Sequence, residues 1–258
     1  MKNRHFWSAA IAALLMLITA ASAAAADSST LAYVTIANGE LLVAREPVSV
    51  TDEDGDGALT INDAIISAHK QLYPGGADGY RTATMELGVY ITRLWGVENG
   101  GSYGYYKNDQ MAMSLFDPVS SGDHVVAFAY TDPTGFSDVY TYFDKSALSA
   151  KPGDDVELTL SMVGFDENFM PVSLPLEGAA ITVDGKATEY KTDAAGKVKI
   201  KLGGEGKHVI SAVSDSKRIV PPVCVAEVVG APQTGGAGII LAAAAGMLAG
   251  AGIYKRRK

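Results

Sequence analysis

The sequence predicts a mainly β protein with one short helix. An α+β domain is followed by an all-β sandwich, with a signal at the N-terminus and a transmembrane helix at the C-terminus. Three observations carry that reading. β-Branched and aromatic runs alternate with Gly-, Asn- and Asp-rich turn signals from Leu31 to Val213. A single stretch, Ile61 to Leu72, repeats its apolar residues at helical spacing. The long apolar runs lie at the two ends, next to Lys and Arg.

Residues Met1 to Ala26 have the three parts of a secretory signal. Lys2, Arg4 and His5 supply the positive start, Trp7 to about Ala20 the apolar middle, and Ala-Ser-Ala-Ala-Ala-Ala the small side chains that signal peptidase accepts. Cleavage after Ala26 leaves Asp27 as the new N-terminus, with Ala24 and Ala25 as near-equal alternatives. The first domain extends over 27–143. Leu31 to Ala37 and Leu41 to Ala44 are apolar-rich strands, and Asn38-Gly39 between them is the strongest two-residue hairpin signal. Val48 to Val50 ends a strand. Beyond the loop that follows it, Ile61, Ile65, Ala68 and Leu72 form the helical stripe, and Pro74-Gly75-Gly76 stops the helix.

The loop at 52–63 reads Asp-x-Asp-x-Asp-Gly-x-Leu-Thr-x-x-Asp. Calcium is a hard cation that takes six to eight oxygens, and a twelve-residue loop supplies them from positions 1, 3, 5, 7, 9 and 12. Here those positions hold Asp52, Asp54, Asp56, the Ala58 carbonyl, Thr60 (through a bridging water) and Asp63. Gly57 occupies position 6, where the chain must turn sharply. Asp63 stands where an EF-hand has the longer Glu, so the loop resembles those of dockerin modules and related extracellular bacterial EF-hands. Dockerins carry two loops in tandem. One loop here means that docking to cohesin is not implied. Four carboxylates this close repel one another without an ion, so calcium is the expected cofactor and is expected to order the loop.

Further strands are expected at Val89 to Leu94, Tyr103 to Lys107 and Asp123 to Tyr130. Hairpin, helix, then more strands is a β-grasp order. Gly104-Tyr105-Tyr106-Lys107-Asn108 and Ser121-Gly122-Asp123-His124-Val125 resemble the bacterial domains related to the C-terminal domain of transcobalamin, over roughly Ile61 to Tyr130. That resemblance implies a small β-grasp binding module. Cobalamin binding does not carry over, because transcobalamin's helical barrel has no counterpart here. Fourteen of the 21 aromatic residues fall between Tyr73 and Phe143. Trp95, Tyr103, Tyr105 and Tyr106, with Tyr140 and Tyr142, are candidates for a stacking face toward a sugar or peptide, weighed against ordinary core and cross-strand roles.

The second domain spans 148–229. Val156 to Met162, Ala180 to Val183, Lys197 to Leu202 and His208 to Val213 are short strands, with turns at Asp184-Gly185, Ala195-Gly196 and Gly203-Gly204. Thr192-Asp193-Ala194-Ala195-Gly196-Lys197-Val198 and Gly206-Lys207-His208-Val209 resemble bacterial immunoglobulin-like surface repeats, which implies a β-sandwich used as a stalk. Asp193 belongs to turn chemistry rather than to a metal site.

The C-terminus divides into a linker at 230–236, an apolar span at 237–254 and a basic tail at 255–258. Ala231-Pro232-Gln233-Thr234-Gly235, the span and the tail together resemble the sortase sorting signal of Gram-positive cell-wall proteins. The resemblance implies cleavage between Thr234 and Gly235 and transfer of Thr234 to peptidoglycan. Ala231 departs from the family's Leu. The eighteen-residue span is just long enough for a bilayer core of ~30 Å, and the tail would stay cytoplasmic. An uncleaved single-pass anchor is the alternative.

Charge agrees with display outside the cell. The segment 27–230 carries all 29 acidic residues and fifteen of the 21 basic ones, which excludes nucleic acid as a partner. A lone Cys224 allows no intrachain disulfide. His69, His124 and His208 have no metal-ligand spacing and read as surface or half-buried residues. Cys224 has no neighbouring base, so it reads as inert. The chain is therefore expected not to be an enzyme. It is expected to be a calcium-stabilised, surface-displayed binding or adhesion module on an immunoglobulin-like stalk, with an extracellular glycan or protein ligand. An extracellular carbohydrate-active or peptidoglycan-modifying enzyme is the alternative.

Overall fold

The computed structural model describes residues 29–230 except Leu87. Ala26 and the signal, Thr234 and Gly235, the span and the tail lie outside the described residues. The first domain contains β1 (Ser29–Ala37), β2 (Leu41–Thr51), α1 (Ile61–Leu72), β3 (Arg81–Met85), β4 (Gly88–Arg93), β5 (Tyr103–Lys107), β6 (Gln110–Met111) and β7 (His124–Ala129). Its main sheet has the order β2-β1-β7-β5-β6. The central pair, β1 and β7, is parallel, while β1–β2 and β5–β7 are antiparallel. β3 and β4 form a separate hairpin.

The β1–β2 turn differs in size from the expected two residues. Ala37 pairs with Leu41, so Asn38, Gly39 and Glu40 form a three-residue loop, in which Gly39 takes φ +71°. A left-handed residue there costs glycine little and other residues about 1–2 kcal/mol. Alternation along β1 sends Ala32, Val34 and Ile36 to the helix side, where Ile61, Ala64, Ile65 and Ala68 of α1 meet them, all fully buried. Each such Ile or Val contributes roughly 1.5–3 kcal/mol relative to exposure. Leu72, the last residue of the expected stripe, is instead exposed at the helix end.

The second domain contains β8 (Val139–Phe143), β9 (Ala147–Ala150), β10 (Asp155–Phe165), β11 (Pro171–Pro175), β12 (Ala180–Val183), β13 (Lys186–Lys191), β14 (Lys197–Lys201), β15 (Gly206–Val213), β16 (Ile219–Val220) and β17 (Cys224–Val228). One sheet runs β11-β10-β8-β16, with β14 also paired to β10, and the other runs β13-β12-β15-β17-β9. Val156, Leu158, Val198 and Ile200 from the first sheet meet Ile181, Ile210, Ala212 and Ala226 from the second in one core. Among the described residues the chain is mainly β, with one α-helix, and no helix is long and apolar enough to cross a membrane.

Residues 139–143, placed by the sequence reading within a first domain ending at 143, belong to the sandwich. β8 pairs with β10 and β16 and with no strand of the first sheet. A Val-Tyr-Thr-Tyr-Phe run fits any sheet, and which strand accepts it is a non-local choice. β8 also caps the first domain. Tyr140 and Val220 pack on Ala37, Tyr106, Val126 and Phe128, which line the face of the first sheet turned away from α1. The sheet is thus buried on both sides, by the helix and by the sandwich.

Candidate metal centre

The loop begins where β2 ends and closes inside the first turn of α1. Thr60 is the helix N-cap, with φ −123° and ψ 172°, and Asp63 is the third helical residue. Thr60 Oγ1 accepts the Asp63 N–H at 3.3 Å, while Asp63 Oδ2 accepts the Thr60 N–H at 2.9 Å and its hydroxyl at 2.6 Å. This reciprocal arrangement satisfies donors that a helix start leaves unpaired and puts a negative group at the positive end of the dipole. Asp63 is fully buried. Its other oxygen, Oδ1, accepts the Glu53 N–H at 2.8 Å, so one carboxylate ties the start of the loop to the start of the helix.

Asp52 organises the exposed side. Its Oδ1 accepts the Gly55 N–H at 2.8 Å and the Asp56 N–H at 3.2 Å, and its Oδ2 accepts the Gly57 N–H at 2.9 Å. Gly55 and Gly57 have φ +77° and +88°, and this turns those N–H groups inward. One oxygen each from Asp52, Asp54 and Asp63 lies within 4.8 Å of the other two. Two ligands on opposite sides of one calcium ion at 2.3–2.6 Å stand roughly 4.6–5.2 Å apart, so the three oxygens fit a single ion. Burial and the charges of Asp63, Asp56 and Asp52 raise the Asp54 pKa, because like charges meet there.

The remaining expected ligands are placed differently. Asp56 lies outside the group, with Oδ1 accepting the Ala58 N–H at 2.8 Å. Thr60's hydroxyl is committed to Asp63. Two residues that sequence reasoning passed over support the loop. Burial works to raise the Glu53 pKa, but Lys70, Thr51 and Ser67 hold it below the usual carboxylate range, and Glu53 thereby clamps the loop to α1. Gln71 accepts the Ser49 N–H at 3.2 Å and donates to its carbonyl at 2.8 Å, covering the outer edge of β2. Only the helical spacing of residues 67, 70 and 71 hinted at this.

The aromatic residues do not form one stacking face. β5 alternates, so Tyr103 and Tyr105 pack toward the helix-side core with Trp95, while Tyr106 points to the seam between the domains. Tyr106 stacks on Tyr140 with centroids 3.6 Å apart and planes 5° from parallel. Tyr103's hydroxyl lies 2.9 and 2.8 Å from the Thr92 and Val97 carbonyls. Trp95 has φ +50°, and its N–H donates to His69 Nε2 at 2.9 Å.

His69 and His124 are buried rather than superficial. His69 Nδ1–H donates to the Ile65 carbonyl at 2.7 Å, and its ring packs on Tyr73, Tyr80 and Trp95. With Nε2 accepting, it is a neutral core histidine, and burial pushes its pKa down. His208 is nearer the surface, paired with Asp184 at 2.8 Å, which raises its pKa. Cys224 is fully buried, and burial pushes its thiol up to about 12.

No protein-family model and no curated protein matches this chain. Among solved structures it is similar to the N-terminal four Ig domains of Dscam1 isoform 6.9, at 13% identity over 49% of this chain and 37% of that one, with a TM-score of 0.21. The same region of Dscam1 isoform 4.4 aligns at 13% identity over 58% of this chain and 32% of that one, with a TM-score of 0.22. The chain thus spans about a third of those structures. Likeness this remote bears on neither ligand nor activity.

Proposed function

We propose that the protein is a calcium-stabilised binding or adhesion module displayed outside the cell, a β-grasp domain on an immunoglobulin-like sandwich. The observation that carries the calcium reading is the convergence of Asp52, Asp54 and Asp63 at the junction of β2 and α1. The mixed sheet, with a parallel central pair and a helix across one face, supports the β-grasp label. Two packed five-stranded sheets support the sandwich label. Residues 1–26 and 231–258 support export and anchoring, by sortase at Thr234 or by an uncleaved span.

When bound, the ion would neutralise the crowded carboxylates. Asp52, Asp54 and Asp63 would hold it, and Asp63 would pass the constraint to the helix start. Extracellular loops of this kind bind at ~10⁻⁴ to 10⁻³ M. Calorimetric titration with calcium, alongside thermal melting with calcium and with chelator, tests the reading. Absence of both binding heat and a melting shift would end it. Probing glycan and protein arrays with the calcium-loaded chain tests the binding role.

A further inference from the structure

We propose that the seam between the two domains is an acid-operated latch released by His124. The residue opens β7 and lies 6% exposed, under the sandwich. Nε2 is 2.8 Å from Thr35 Oγ1, which also accepts the Arg45 N–H at 3.0 Å. Nδ1 is buried and meets no hydrogen-bonding partner among the described residues. The ring lines a small cavity with Thr35 and Val126 of the first domain and Tyr140, Ser146 and Pro222 of the second. A buried polar atom left unmatched at a joint is a cost borne only while the joint is closed.

The surrounding charges offer a protonated ring no relief. From β2, Arg45 already brings a cation, with Nε 3.2 Å from Ser146 Oγ and the guanidinium 3.7 Å from the Tyr33 ring centre. From the β5–β6 turn, Asp109 lines the same cavity, but its carboxylate accepts the Tyr140 hydroxyl at 2.8 Å. Asp123, next in the chain, is tied to Asn108 Nδ2 at 2.8 Å. From β8, Tyr140 and Tyr142 face the cavity, and β17 brings the buried Cys224 close to Arg45. A proton on His124 would put a second cation into a closed, poorly hydrated seam. Opening the seam hydrates the ring instead.

The direction follows from linkage. Burial, and then Arg45, hold the closed-state pKa down to about 4, against about 6.5 for a solvated histidine. The open form therefore takes up the proton first as pH falls. The closed form is fully favoured above about pH 6.5 and loses roughly tenfold per pH unit between there and about pH 4. Asp109 titrates with the opposite sign, because burial raises its pKa and the closed seam accepts that proton earlier. It opposes opening as pH falls through that raised pKa. Opening uncovers Tyr106, Phe128 and Tyr140, an aromatic surface hidden at neutral pH.

The test is a spin–spin distance measurement on the full chain, labelled through Thr84→Cys and Lys199→Cys, one exposed site per domain. Cys224 is buried and stays unlabelled. A single distance is expected near neutral pH, with a longer population growing roughly tenfold relative to the closed form for each unit below about pH 6.5. His124→Gln should stay closed throughout, and Asp109→Asn should still open. Far-UV dichroism should be unchanged across the transition. An NMR titration of the His124 ring in the unsubstituted protein, which does not depend on any variant folding, should show a midpoint above the closed-state value of about 4 and below about 6.5, because a ring that opens the seam titrates between the two states. Equal opening in His124→Gln, loss of dichroism with opening, or a His124 midpoint at or above about 6.5 overturns the latch.

Discussion

Single atoms decide several properties of this molecule. Asp54→Ala removes one of three converging carboxylates without touching the N-cap, so the fold should survive while the calcium-dependent rise in melting temperature disappears. At a hundredfold excess of calcium over Kd that rise corresponds to about 2.7 kcal/mol. Thermal melts of both proteins with and without chelator check it, and an undiminished rise in Asp54→Ala would exclude Asp54 as a ligand. Gly104 shows a second kind of constraint. A Cβ built there would lie 2.2 Å from the Phe128 ring, which is itself buried in the seam. Gly104→Ala should therefore cost about 1–3 kcal/mol by overpacking, read as a lower urea midpoint with an unchanged slope. His69 is held neutral by burial, with Nε2 accepting the Trp95 backbone N–H. Its folded pKa lies below the unfolded value, so the unfolded chain binds the proton first and stability falls as pH drops below about 6.5. His69→Gln should flatten that part of the pH–stability curve, and an equally steep curve would mean that another group is responsible.

At the level of elements, the loop and α1 behave as one clamp. Asp63 joins loop and helix, Glu53 and Lys70 join loop and helix face, and Gln71 and Ser67 reach back to β2. Ile61 and Ile65 are fixed in the core, so the helix has nowhere to swing when an ion arrives. Sensor EF-hands open a helix pair. Here a strand, not a second helix, enters the loop. Calcium should accordingly slow amide exchange at residues 53 to 60 and leave β5 and the Trp95 turn unchanged. Protection changes spreading through Trp95 and Tyr103 to Tyr106 would point to a switch instead.

Over the whole molecule, the sandwich buries one face of the first sheet, and the two domains share the aromatic contact of Tyr106 with Tyr140. Within each domain a late strand lies parallel to an early one: β7 along β1 over five register pairs, and β17 along β9 over four. Pulling such neighbours from opposite ends loads their hydrogen bonds together, in shear, rather than one after another. Stretching the chain between its termini should therefore give abrupt force peaks, one per domain. A gradual extension without peaks would contradict that geometry.

The sequence by itself determined the hairpin, the single helix, its position after the acidic loop and the turn glycines, because each rests on local periodicity or on φ values only glycine adopts cheaply. It also placed Asp52, Asp54 and Asp63 at ligand spacing, since the loop's geometry is local. Only the tertiary structure decided the rest. Whether β8 joined the first sheet or the sandwich depended on strands distant in sequence. Alternation along β5 split the aromatic run between two cores, a division that becomes meaningful only once both faces of the sheet are covered. His69 and His124, unremarkable as letters in the chain, became buried because non-local packing closed over them. Local sequence encodes conformation, but burial and partnership are set by chain segments that meet only after folding.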